Sequence, residues 1–208
     1  QAWISVIITF VAFCFLSSSA YFINDVIDKE RDRLHPLKSA RPIAAGKISV
    51  STALIFAGVL AAGGLLMALV AGPAIWWLGL IYIVASSAYS LKLKEYPLLD
   101  LFMIAANFVV RAAAGVMAVG AVMSPWFLLC TVLLSLLLVL GKRRHELVFL
   151  DEEAAGHRKV LASYSRLFLD QMISIITIAT LMSYFLYTFF SEAAKQHNHI
   201  LMWTIPPV

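Results

Sequence analysis

Six apolar runs, each long enough to cross a bilayer, dominate this chain and leave it few folds to choose from. They fall at residues 2–23, 50–70, 74–89, 98–119, 125–140 and 172–190, and a seventh opens at Ile200. With 62% apolar residues among 208, the chain carries far more such sequence than a soluble core needs. No period-two alternation of the kind a membrane barrel requires is present. The expected fold is all-α: a polytopic transmembrane helix bundle, with six spans plus the start of a seventh, forming a single transmembrane domain over 1–208. The chain enters its first run directly after Gln1 and ends at Thr204–Val208 as another begins, so it reads as truncated at both ends.

The connections alternate in charge. Lys29, Arg31, Arg33, Lys38, Arg41 and Lys47 follow the first run, Lys92 and Lys94 the third, and Lys142, Arg143, Arg144, Arg158, Lys159 and Arg166 the fifth; these are 14 of the 16 basic residues. The intervening connections at 71–73 and 120–124 carry no charge. Threading six spans in alternation puts all three basic connections on one side, and the positive-inside rule makes that side cytoplasmic. Cys14 and Cys130 lie inside apolar runs without metal-ligand spacing, and His35, His145 and His157 are scattered, so neither type marks a zinc site.

Topology does not explain the acidic residues, because Asp and Glu contribute little to orientation. The segment 24–46, NDVIDKERDRLHPLKSARPIAAG, sets four acidic and five basic residues against the end of the first run. Asp25, Asp28 and Asp32 stand at i, i+3 and i+7, which places three carboxylates on one face of a helix, within roughly 60°. They repel one another unless a cation lies among them, and hard oxygen donors with room for water and phosphate suit Mg²⁺. Arg33, Lys38 and Arg41 follow directly and suit the same anion, arginine as a bidentate fork and lysine as a point charge.

Two further groups are candidates. Asp100, Asn107 and Arg111 form a polar stripe at i, i+7 and i+11 on the fourth run. A guanidinium inside a membrane span is expected to face the bundle interior and meet an anion; it is either a structural tie to an aspartate or a backbone carbonyl, or it lines a cavity reaching down from the cytoplasmic side, touching substrate phosphate or supporting the carboxylates. Tyr89, Lys92 and Lys94 in AYSLKLK, and Lys142, Arg143, Arg144 and Glu146 in GKRRHE, sit at cytoplasmic ends of spans. Together they would oppose the carboxylate face with cations, as a pocket for several phosphates requires.

The run from Asn24 to Asp32 fits N-D-x-x-D-x-x-x-D, and its continuation DRLHPLKSARPIAAG completes a likeness to the first aspartate-rich motif of the UbiA superfamily of intramembrane prenyltransferases. That resemblance implies a bundle of nine transmembrane helices around a cytoplasm-facing cavity, with the motif following the second helix. It also implies Asp25, Asp28 and Asp32 as Mg²⁺ ligands and catalytic groups, with Asn24 beside them at the substrate. Typical members carry a second aspartate-rich motif in the connection matching residues 141–170, which here begins GKRRHEL, while Asp151, Glu152 and Glu153 lack its spacing. One acidic motif facing a basic one resembles the decaprenyl-phosphate phosphoribosyltransferase branch. YSLKLK, LLDLFMIAANFVVRAAAG, LGKRRHEL and HRKVLASYS are similar to that branch as well.

The implied reaction moves 5-phosphoribose from phosphoribosyl diphosphate to a polyprenyl phosphate in a bacterial-type plasma membrane, toward a cell-envelope glycolipid. No nucleic-acid partner is expected, and the oligomeric state stays open. A second expectation is prenyl transfer from a diphosphate to an aromatic or other acceptor, which uses the same first motif. A transporter lined by Asp100 and Arg111 is a third, disfavoured because the external connections are neutral and the carboxylates cluster on one side.

Overall fold

A computed structural model describes residues 2–150 and 164–190. Its helices are α1 (Ala2–Ile27), α2 (Lys29–Leu34), α3 (Val50–Ala71), α4 (Pro73–Leu91), α5 (Leu99–Val119), α6 (Pro125–Leu150) and α7 (Arg166–Phe190), with 3₁₀ turns at Lys38–Ala40 and Leu93–Glu95. Every helix except α2 is long and apolar enough to span a membrane, six in all among the described residues. The expected seventh span at Ile200 lies outside the described residues, as do Asp151 to Glu153, His157, Arg158 and Lys159. Large apolar side chains such as Trp3, Phe10, Leu66 and Trp77 point outward, as they do where the surrounding solvent is lipid.

In such a solvent helices associate by close packing of small residues. Leu16 of α1, fully buried, is the knob around which three spans close. A Cβ on Gly64 of α3 would meet the Leu16 side chain at 2.9 Å and the Ala12 carbonyl oxygen at 3.0 Å, and one on Gly79 of α4 would meet Leu16 at 3.1 Å. Ser19 adds a hydrogen bond to the Ala57 carbonyl oxygen at 2.8 Å. This cluster takes in Ala114 and Ala118 of α5, while Leu101 and Ala105 of the same helix belong to a second cluster with α6 and α7. Helix α5 therefore joins the two halves of the bundle.

The neutral connections are tight. Gly72 has φ +148°, a conformation only glycine adopts readily, and Pro73 then starts α4 with its missing N–H at a position that needs none. Gly120 closes α5 in the left-handed region. The basic connections are longer and are tied across the same end of the bundle by ion pairs Arg31–Glu95, Lys94–Asp28, Arg143–Asp100 and Arg144–Asp170.

The glycine packing is testable by thermal unfolding in detergent. Gly64→Ala is expected to destabilise the bundle by about 1–3 kcal/mol through forced separation of α1 and α3. Gly58→Ala meets nothing within 4 Å on the same helix and is expected to be neutral or mildly stabilising. Equal stability of the two variants would contradict the packing described.

Candidate active site

Helix α1 carries the acidic motif out of the apolar bundle. Asp28 leaves helical geometry (φ −88°, ψ 0°) and α2 resumes at Lys29. The backbone bonds Asp28 N–H to Asn24 O (2.9 Å) and Asp32 N–H to Asp28 O (2.8 Å) keep the helical course. The three carboxylates nevertheless divide. Arg41 donates from one Nη to Asp25 at 2.7 Å and to Asp32 at 2.9 Å, whereas Asp28 takes Lys94 Nζ at 2.6 Å. Lys94 Nζ also reaches Asn24 Oδ1 at 3.3 Å.

Loop geometry delivers both cations. Buried His35 accepts the N–H groups of Leu37 and Lys38 on Nδ1 at 3.1 and 3.3 Å, which turns the chain back toward α1. Arg33 holds the returning strand through the Ala44 carbonyl oxygen at 3.1 Å. After α4 the 3₁₀ turn buries Lys94 and leaves Lys92 exposed. Leu98 then takes φ +65° in a γ-turn closed by Leu99 N–H to Pro97 O at 2.8 Å. Such backbone strain costs roughly 1–3 kcal/mol; the Leu98 N–H is held by the Tyr164 hydroxyl at 2.9 Å, and Asp100 follows in the first turn of α5.

Asp100 has a different partner from the one its stripe suggests. Arg143, 1% exposed, donates Nε to Asp100 Oδ2 at 2.6 Å and Nη2 to Oδ1 at 3.0 Å; Asp100 itself is 0% exposed. Nη1 of Arg143 meets Glu146 at 2.7 Å, and the Tyr89 hydroxyl donates to Asp100 at 2.9 Å. This corrects one expectation: GKRRHE is not part of a connection but a continuation of α6, which runs to Leu150. Arg143 meets two protein carboxylates from its place on the cavity wall. Arg144 points away, exposed, to Asp170 at 2.7 Å.

Helices α1, α4, α5 and α6 enclose a cavity of about 350 Å³. Of the sequence-predicted residues, Asn24, Asp28, Lys38, Arg41, Tyr89, Lys94, Asn107, Arg111, Lys142, Arg143 and Glu146 line it. Asp25 and Asp32 stand behind Arg41, and Arg33, Lys92 and Arg144 are not on its wall. Sequence reasoning missed Ser17, Tyr21, Tyr82, Ser86, Ser90 and Phe108. A signal was there: Ser17, Tyr21, Asn24 and Asp28 form one stripe at i, i+4, i+7 and i+11, and Tyr82, Ser86 and Tyr89 another, by the spacing already applied to α5.

The sequence profile of the UbiA prenyltransferase family matches residues 1–194. The chain belongs to that family. Decaprenyl-phosphate phosphoribosyltransferase of Mycolicibacterium smegmatis is 36% identical over 195 residues, covering 90% of this chain and 59% of the relative. The protein of the same description from Corynebacterium glutamicum is 37% identical over 188 residues, covering 89% and 57%. The chain thus spans under two thirds of the length of these relatives. A UbiA homolog from Archaeoglobus fulgidus, solved with GPP and Mg²⁺, superposes with a TM-score of 0.83 at 18% identity over 97% of this chain and 72% of its own. UbiA architecture and six spans make this chain an integral membrane protein.

Among the described residues no group of three or more acidic, histidine or cysteine side chains gathers as a metal cage. Mg²⁺ does not need one, since it characteristically binds through one or two carboxylates, substrate phosphates and water. Asp28 and Asn24, both on the cavity wall with oxygens converging on one cation, Lys94, are a donor set that fits.

Removing one member of a buried ion pair strands the other charge and costs about 3–5 kcal/mol. Arg143→Met and Asp100→Leu are each expected to lower thermal stability by that order, and the double variant to recover most of it. If the double variant is as unstable as both singles added, the pair is not the tie described.

Proposed function

We propose that the protein transfers 5-phosphoribose from phosphoribosyl diphosphate to a polyprenyl phosphate and releases pyrophosphate, at a cavity opening to the cytoplasm of a bacterial-type plasma membrane. The observation that carries this is how the cations are spread over the cavity wall: Lys38, Arg41 and Lys94 from the connections, Arg111 from α5 and Lys142 from α6, with Arg143 already paired to Asp100 and Arg41 to Asp25 and Asp32. Cations on several walls suit two phosphorylated ligands, donor and acceptor, at once. The phosphoribosyltransferase relatives support the same reading.

In the reaction the bond between ribose C1 and the diphosphate oxygen breaks, and an acceptor phosphate oxygen bonds to C1. The acceptor is already ionised at neutral pH, so no general base is required. Lys38, Arg41 and Lys94 at the mouth hold the diphosphate as it gains charge in departing. Mg²⁺ held by Asp28 and Asn24 would supply further neutralisation of that leaving group. Asp25 and Asp32 act through Arg41, fixing its direction. Lys142, on the wall contributed by α6, counters the charge of the second phosphate and holds two anions near enough to react. Attack opposite the leaving group inverts C1 and gives a β-linked lipid.

Membranes holding the full-length protein, given phosphoribosyl diphosphate, a polyprenyl phosphate and Mg²⁺, are expected to release pyrophosphate and form a β-linked phosphoribosyl lipid by NMR. Asp28→Asn is expected to lower kcat/KM by roughly 100-fold or more. An α-linked product would overturn the inversion. Release only from a prenyl diphosphate with an aromatic acceptor would replace phosphoribosyl transfer with prenyl transfer.

A further inference from the structure

Beneath the charged mouth the cavity holds one more cation, at a different depth. Arg111 of α5 donates Nε to the Asn107 carbonyl oxygen at 3.3 Å, which draws its guanidinium back one turn along the helix. Two helices give the same ruler for its depth. From Tyr89 to Tyr82 on α4, and from Asp100 to Asn107 on α5, there are seven residues, about 10 Å of helix rise in each case. The guanidinium therefore lies about two turns below the layer in which Tyr89, Asp100 and Arg143 meet.

Among the described residues its surroundings are aromatic and polar but not acidic. The guanidinium carbon stands 4.5 Å from the Phe108 ring centre and 5.7 Å from that of Tyr82, whose hydroxyl is bonded to Ser17 at 3.1 Å. Asp28 and Glu146, the acidic residues on the cavity wall, are at the mouth and pair with Lys94 and Arg143. Among the described residues Arg111 forms no ion pair. Ring faces compensate a guanidinium only weakly, and a cation within a span is costly without an anion. Beside it, Asn107 gives Nδ2 to Ser86 at 3.2 Å and keeps Oδ1 buried with no hydrogen-bond partner. A planar fork of N–H donors next to a vacant acceptor suits a ligand bearing both a phosphate and a hydroxyl or a water.

We infer that Arg111 anchors a second anion subsite that takes a phosphate monoester, separate from the diphosphate held at Asp28 and Lys94. The inference rests on the phosphoribosyl-transfer reading, because that reaction brings two such monoesters into the cavity: the 5-phosphate of the sugar donor and the phosphate of the lipid acceptor. A prenyl diphosphate with an aromatic acceptor brings none. Arg111 is thereby a residue that selects the substrate class, while the mouth serves any diphosphate.

The test is equilibrium binding to the full-length protein in lipid nanodiscs with Mg²⁺, using pyrophosphate, ribose 5-phosphate and farnesyl phosphate as separate probes. Arg111→Gln is expected to weaken one monoester by about tenfold or more, the loss of a charge-assisted contact, and to leave pyrophosphate within about twofold. Arg111→Lys, which keeps the charge and loses the fork, is expected to fall between. Loss of ribose 5-phosphate identifies the donor as occupant, and loss of farnesyl phosphate the acceptor. Retention of both monoesters by Arg111→Gln overturns the inference, and so does loss of pyrophosphate alongside them, which would mean that Arg111 supports the bundle. The underlying reading fails by a different result, the absence of phosphoribosyl lipid from the unmodified protein.

Discussion

The site depends on the buried pair of Asp100 and Arg143. Taking both charges out of water is costly, and mutual hydrogen bonds at 2.6 and 3.0 Å are what make it tolerable. The pair holds the first turn of α5 to the end of α6 and recruits Tyr89 of α4 and Glu146, so three helices keep register at the cavity mouth. Because α5 also belongs to both apolar clusters, its position fixes where Asn107 and Arg111 enter the cavity. An arginine that reads as a substrate ligand thus holds two protein carboxylates, Asp100 and Glu146.

At the mouth carboxylates and cations meet as well. Asp28 with Lys94, and Asp25 and Asp32 with Arg41, satisfy one another without a ligand. Lys94 and Asp32 are buried while Arg41 and Asp25 are half-exposed, so these pairs stand between the fully buried tie of Asp100 and Arg143 and a solvated surface pair. Carboxylates hold the cations in place. Depth separates this layer from Arg111, which has aromatic neighbours and, among the described residues, no carboxylate partner.

The spans and their alternation were legible because hydropathy and charge are local properties. The acidic motif was legible for the same reason, since helical spacing can be read within a dozen residues. The partners were not. Asp100 and Arg143 are 43 residues apart, and nothing in GKRRHE tells which of three consecutive basic residues turns inward. Their directions follow from α6 continuing as helix past Gly141, which sends Arg143 to the interior, Arg144 to Asp170 and Lys142 to the cavity. The γ-turn at Leu98 was equally hidden, because leucine carries no signal for a positive φ and the turn is secured by Tyr164, 66 residues away. The stripes on α1 and α4 were readable by spacing, but serine and tyrosine are common enough in membrane helices to pass as packing.

The central claim is a division of labour, in which Arg143 is structural and the mouth around Asp28 and Lys94 holds the diphosphate. A structure of the full-length protein with phosphoribosyl diphosphate and Mg²⁺ tests it most directly. The account predicts the diphosphate within hydrogen-bond distance of Lys94 beside Asp28, with Arg143 still paired to Asp100. A diphosphate bound by Arg143, with the Asp100 pair broken, would contradict it.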